Sequence, residues 1–414
     1  MLDPQAATSA GCEPAAPLQE DRLNHKTWWR PALALGATLS ILLAACSSTG
    51  ASPTPQGSGT SASAGPIDLS KVPPAPNYSQ PIAADGSTFV QPVMEQWTQA
   101  YASETNIQIS YTGGGSGQGI KDLTANTVAF AGTDSPMKAD ERTAAESKYG
   151  PVLHLPVVFG GIVMAYNLNG VSKPINFTPA VIAKIFLGRI TNWNDPAIKA
   201  DNPDVTLPNQ QITVVHRSDG SGTTATFTGW LCSVSSEWKD KLGAGKCAGK
   251  EVEWPVGLGG KGNPGVTSTI SSTPGAIGYI ELAYAVQNKV PYGKVQNPSG
   301  EFIEPTLDSV AAAANFDTIP DNLIFDAFGS KAKGAYPIAG VTWLLVYQQQ
   351  DKATQDQGRA QAVVHFLLWA LDKGGDSARS LNYAVLPDKL RKATLAKIAT
   401  ITWNGTPVVN SLYK

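Results

Sequence analysis

The segment QITVVHRSDGSGTT, Gln211 to Thr224, decides the fold. Gln211–Val215 is an apolar run with the look of a strand, and Gly220–Thr224 has the small, hydroxyl-bearing composition that opens a helix. Between them stand Arg217 and Asp219. A strand that feeds a helix through a turn rich in hydrogen-bond donors has three familiar uses: a phosphate loop, a serine nucleophile, or a plain helix start.

The rest of the chain repeats the strand-then-helix pattern. Strand-like runs occur at Ile107–Tyr111, Val128–Gly132, Gly161–Tyr166, Ala276–Ile280 and Val341–Tyr347. Helical spacing of apolar residues, at steps of three and four, marks TFVQPVMEQWTQAY, PAVIAKIFLG and RAQAVVHFLLWALDKG. This alternation predicts an α/β fold. No internal repeat of fixed period is present. Trp97, Trp193, Trp230, Trp343 and Trp369 are read as core, Trp193 packing a turn at the end of a helix.

Two further Gly/Ser/Thr turns enter helical patterns: DGSTF (Asp85–Phe89) and YTGGGSGQG (Tyr111–Gly119). A helix start exposes unpaired N–H groups and a partial positive charge, so it suits an anion. One such turn is ordinarily a cap. Three in one chain, one of them beside an arginine, point to a shared oxyanion. The catalytic uses fail in detail. No turn carries the lysine of GxxxxGK[ST], Gln118 occupies a required glycine of GxGxxG, and neither Ser116 nor Ser221 lies in GxSxG. His216 is expected to be packed or solvent-facing, since neighbours on a strand point to opposite faces.

Composition narrows the function further. The 414 residues exceed what one core usually serves, so two domains are expected. The 31 basic residues nearly balance the 33 acidic ones, which gives no footprint for nucleic acid. With 4 histidines and no HExxH, CxxC or close histidine pair, no metal or cofactor is expected.

The N-terminus reads as an address. Arg22, Lys26 and Arg30 precede PALALGATLSILLAAC, which is too short for a permanent span and suits the apolar region of a signal peptide. Its end, LAAC, resembles the lipobox of bacterial lipoproteins. That implies a signal peptide over 1–45, cleavage before Cys46, and lipid on Cys46; an ordinary secretory signal or short anchor is the alternative. Residues 46–75, opening with uncharged SSTGASPTPQGSGTSASAG, are expected to form a flexible tether. Outside the cytoplasm Cys232 and Cys247 are expected to form a disulfide.

Five stretches, in order, carry a resemblance: GSTFVQPVMEQWTQAY, GGGSGQGIKDLTANTVAFAGTDSPM, KIFLGRITNWNDPAI, HRSDGSGTT and TPGAIGYIE. Together they resemble the phosphate-binding lipoproteins of bacterial ABC importers, from about Gly86 to about Tyr347. The resemblance implies a two-lobed periplasmic-binding-protein type II fold with two hinge crossings, FGGIVMAYN and YPIAGVTWLLVY. It places lobe 1 at 76–162 and 338–414, and lobe 2 at 163–337. It implies phosphate contacts from Thr88, Phe89, Ser116, Asp134, Arg217, Ser221, Gly222 and Thr223, with Asp219 orienting Arg217. It further implies a monomer, lipid-anchored outside the cytoplasmic membrane, that delivers phosphate to an ABC permease without enzymatic chemistry. Gly117 and Gln118 depart from the usual Ser and Gly of the second turn.

The chemistry fits those residue types. Near neutral pH phosphate offers acceptor oxygens and at least one proton, so Asp134 can accept that proton. Sulfate would set two acceptors face to face, at about 1–3 kcal/mol or more. Read alone, Asp134 has a helix cap ahead of Ser135–Met137 as its alternative reading. The rival functions are a secreted phosphatase, a binder of another oxyanion, or a phosphate sensor.

Overall fold

The computed structural model describes residues 67–412. The leader, Cys46 and residues 46–66 of the tether lie outside the described residues. The first elements are β1 (Ile82–Gly86), α1 (Gln91–Thr105), β2 (Ile109–Thr112), α2 (Ser116–Thr124), β3 (Phe130–Thr133), α3 (Ala139–Tyr149) and β4 (Val152–Tyr166).

One twisted sheet carries two parallel halves. Its order is β2, β1, β3, Ala339–Tyr347, β4, Ala276–Glu281, Thr213–Arg217, Leu258–Gly260. β1 pairs in parallel with β2 and β3, and Thr213–Arg217 pairs in parallel with both of its neighbours. The two long central strands run antiparallel and join the halves. β4 pairs with Ala339–Tyr347 as far as Gly161, and from Ile162 onward with Ala276–Glu281. All of β4 except Leu153 is buried, which explains its nearly continuous apolar sequence.

Only the second half of β4 was legible as a strand. Pro156 interrupts its first half, and Pro lacks the N–H that a ladder needs. Here Pro156 faces Trp343 beside a register shift between Thr342 and Trp343, where the pairing is already irregular. β1 and Leu258–Gly260 were not legible either, being short, Gly-ended and without apolar alternation.

The helices follow local signals. α1 carries Pro92 in its first turn and stops at Asn106, whose φ of 62° is left-handed. It buries Trp97 and Tyr101, whose polar ends bond the Gly374 carbonyl and His365. All five tryptophans read as core are buried. Trp193 packs on Tyr166 and Phe177 and donates to the Gly275 carbonyl. His216 stacks on Trp254, a packed histidine as expected.

Cys232, within helix Gly222–Val234, is bonded to Cys247 with Cα atoms 5.6 Å apart. The loop they close contains a helix of its own, Ser236–Leu242. Helix Leu307–Ala313 and the residues after it turn back onto β4: Phe316 and Phe325 pack against Phe159, and Trp343 donates to the Leu323 carbonyl. Among the described residues no helix is long and apolar enough to cross a membrane.

Candidate functional site

Six strands end at one place. β1, β2, β3, Thr213–Arg217, Leu258–Gly260 and Ala276–Glu281 all deliver their C-terminal turns to the region between the sheet halves. Ligands of α/β sheets bind at such strand ends. Close approach there depends on glycine. Gly86 has φ 141°, and a Cβ on it would overlap the Gly132 carbonyl; a Cβ on Gly119 would lie 2.6 Å from Gly86 Cα. α2 therefore sits directly on β1, which aims its first turn inward.

Two clusters meet in this space. The first surrounds Asp134, which is 4% exposed. Thr342 donates to Oδ1 at 2.7 Å, and Ser87 makes a short hydrogen bond to Oδ2. Ser116 Oγ lies 3.4 Å from Oδ2 and accepts from the Gly222 N–H at 3.0 Å. Burial pushes Asp134 up to about 6; the hydroxyls of Ser87 and Thr342, the charge of Arg217 and the Ser116 hydroxyl act against burial. Asp134 is no helix cap, because α3 begins at Ala139 with Lys138 as its cap.

The second cluster surrounds Arg217, which is also 4% exposed. Its guanidinium binds Asp219 through Nε at 2.7 Å and through Nη2, so the fork is held in one plane. Nη1 lies 3.4 Å from Thr223 Oγ1. Burial opposes ionisation of Asp219, but the hydrogen bonds and charge of Arg217 and the Gly262 N–H outweigh it and hold the carboxyl below its usual value.

All nine residues inferred for the site come together here. Their donors are partly engaged with one another. The Phe89 N–H donates to Ser87 Oγ at 2.9 Å, and Ser221 Oγ accepts from Thr224 N at 3.0 Å as a helix cap. Thr88 and Thr223 are linked through Asn263, which the sequence reading missed. So were Ser87 and Thr342. Asn263 follows Gly-rich GLGGKG at the end of a short strand, a fourth glycine-rich helix start that lacks the Ser or Thr of the other three.

The two halves are closed upon each other around these residues. Gly117 N donates to Gly220 O at 2.8 Å, and Lys250 Nζ reaches Glu141 at 2.7 Å. Tyr284 donates to the Thr88 carbonyl at 2.6 Å. Farther back, the Tyr383 hydroxyl lies 2.6 Å from the Phe89 carbonyl and 2.8 Å from Glu281 Oε2. The phenol proton is shared between these two acceptors, and Glu281 Oε2 also accepts from the Ala283 N–H at 2.7 Å while Oε1 is buried without a partner among the described residues. Burial raises the Glu281 carboxyl well above the usual carboxylate range, against the hydrogen bonds from Tyr383 and the Ala283 N–H. Among the described residues no group of three His, Cys, Asp or Glu is arranged to hold a metal.

A family model for the PBP superfamily domain matches residues 50–372. The phosphate-binding protein PstS of Xylella fastidiosa is 37% identical over 362 residues, covering 86% of this chain and 95% of that protein. This chain belongs to the PstS family of the PBP superfamily. The PstS protein of Haemophilus influenzae is 36% identical over 310 residues, 74% of this chain and 89% of its own. In fold, the chain resembles the phosphate-binding protein of Stenotrophomonas maltophilia, with a TM-score of 0.62, 22% identity, and coverage of 80% of this chain and 98% of that one. The two-lobed α/β fold expected of this family is the one described above.

Proposed function

We propose that the protein binds inorganic phosphate in the cleft between two lobes, outside the cytoplasmic membrane, and hands it to an ABC import permease. The observation that carries this reading is the pairing of a buried carboxyl, Asp134, with a rigidly held guanidinium, Arg217. A bare anion site has no use for the first. A ligand with both acceptor oxygens and a proton has a use for each. Thr88, Ser116, Ser221 and Thr223 supply further donors, and a bound ligand would take the N–H groups of Phe89 and Gly222 over from Ser87 and Ser116. Charge-assisted hydrogen bonds contribute roughly 1.5–3 kcal/mol each, so a handful reaches the about 8 kcal/mol of a micromolar complex.

The lobes are 76–162 with 338–414, and 163–337, the last part of which wraps back onto the first. Their hinges are the two long central strands. The chain acts as a monomer held by a lipid on Cys46, and the tether expected over 46–75 ends by residue 66, because Ile67, Leu69, Val72 and Ala75 pack on the core and the Pro73 carbonyl meets His365. No bond is made or broken in the ligand; Asp134 holds its proton by hydrogen bonding. Calorimetric titration of the purified protein with phosphate, arsenate and sulfate tests this. Phosphate and arsenate should bind at micromolar affinity or better, and sulfate at least tenfold more weakly. Equal affinities for phosphate and sulfate would remove the role given to Asp134.

A further inference from the structure

Asn263 is fully buried and hydrogen-bonds with all of its polar atoms. The backbone N–H of Glu281 donates to Asn263 Oδ1 at 3.0 Å, and an N–H can face only the oxygen of an amide. The orientation of the side chain is thereby fixed. Asn263 Nδ2 must then face the two threonines, 3.1 Å from Thr88 Oγ1 and 3.2 Å from Thr223 Oγ1. Its two hydrogens serve one threonine each.

Each threonine receives a second donor as well. Thr88 Oγ1 accepts from the Asn263 backbone N–H at 3.0 Å, and Thr223 Oγ1 faces Arg217 Nη1 at 3.4 Å. A hydroxyl oxygen has two lone pairs and one proton. With both lone pairs engaged, each hydroxyl can only donate. Among the described residues neither hydroxyl donates to a protein acceptor. Thr88 lies on the turn after β1 and Thr223 at the start of helix Gly222–Val234, so the two donors come from opposite halves of the sheet.

We propose that Asn263 is a positioning residue that commits the hydroxyls of Thr88 and Thr223 to donate to the bound ligand. This rests on the phosphate reading above. A free threonine hydroxyl can rotate to accept as readily as it donates, and so serves sugars and anions alike. Held as obligate donors, this pair accepts only a ligand that presents oxygen acceptors to both halves at once. The amide performs this without touching the ligand and without adding charge.

The test is a double-mutant cycle read by phosphate titration. Asn263→Ala in the otherwise unchanged protein should weaken phosphate binding roughly tenfold, as expected for donors no longer held in place. In a Thr88→Val/Thr223→Val background, itself weakened, the same substitution should change affinity by less than about twofold. The Glu281 N–H loses its partner in both backgrounds, so that effect cancels. Thermal unfolding in phosphate-free buffer checks that each variant is folded, and Asn263→Ser replaces Asn263→Ala in the cycle if that variant is not. Equal losses in the two backgrounds, in a parent that binds phosphate, overturn this inference alone. Absence of phosphate binding in the parent overturns the function proposed above, and this inference with it.

Discussion

Replacing Asp134 by asparagine keeps the shape of the side chain and removes its charge, and the structure sets the size of the effect. Burial raises the Asp134 carboxyl from its ordinary 3.8 to about 6, despite the hydrogen bonds from Ser87 and Thr342. A shift of that size corresponds to about 3 kcal/mol between the protonated and ionised forms. The sign follows from linkage. The folded state binds this proton more tightly than the unfolded chain, so the associated stability is present in full below pH 4. It is lost as pH rises from 4 through 6, and above 6 the ligand-free protein bears the whole cost of the buried charge. Asp134→Asn removes that dependence. Urea unfolding of parent and variant in phosphate-free buffer at pH 4, 5, 6 and 7 measures it. Relative to the parent, the variant should gain about 3 kcal/mol between pH 4 and pH 7. A difference between the two proteins that stays constant across the range would refute the reasoning, because the burial of Asp134 would then cost nothing.

The same proton governs selectivity: below pH 6 a protonated Asp134 can donate to sulfate, so sulfate should bind the parent more tightly as pH falls. Sulfate titrations at pH 5 and pH 7 read this, and the Asp134→Asn variant should show no such trend. Glu141→Gln leaves the ammonium of Lys250, which is 6% exposed in the closed arrangement, without its carboxylate. Closure becomes less favourable, and phosphate affinity should fall about tenfold, measured by calorimetry; unchanged affinity would mean that the pair does not hold the halves together. Replacing Cys232 and Cys247 together by alanine opens a 15-residue loop and should lower unfolding free energy by about 3 kcal/mol. Phosphate affinity should be unchanged, since the loop lies at the far end of the helix that Ser221 begins.

What was legible in the sequence was local. Gly115–Ser116 and Ser221–Gly222 announce helix starts through their own composition, and both open helices here. Arg217 and Asp219 lie two positions apart, so their pairing needed no long-range contact. Ser87 and Thr342 were not visible because what gives them a role is register. Parallel pairing of β1 with β3 sets Ser87 beside Asp134, and the strand Ala339–Tyr347 brings Thr342 from 208 positions away. Asn263 was missed for a different reason. Its turn has the right glycines but no Ser or Thr at the helix start, and its amide works through two threonines rather than as an evident anion donor. Glu281 shows the limit clearly. In GYIEL it reads as a polar residue ending a strand, and its complete burial against Tyr383 emerges only when the C-terminal segment packs there, 102 positions away.

The interleaving of the central strands bears on how the chain is made. β3 and β4 are separated in the sheet by Ala339–Tyr347, which is synthesised just over two hundred residues after β3. Until that strand arrives, the first three strands end in an open edge and the first half of β4 lacks its main partner. The strands of the other half, by contrast, all lie between Ile162 and Glu281 and close among themselves. Loop-closure entropy alone therefore favours pairing in the middle of the chain first, with the costly long-range closure last. A polypeptide that emerges N-terminus first cannot complete its first half until its final quarter is available.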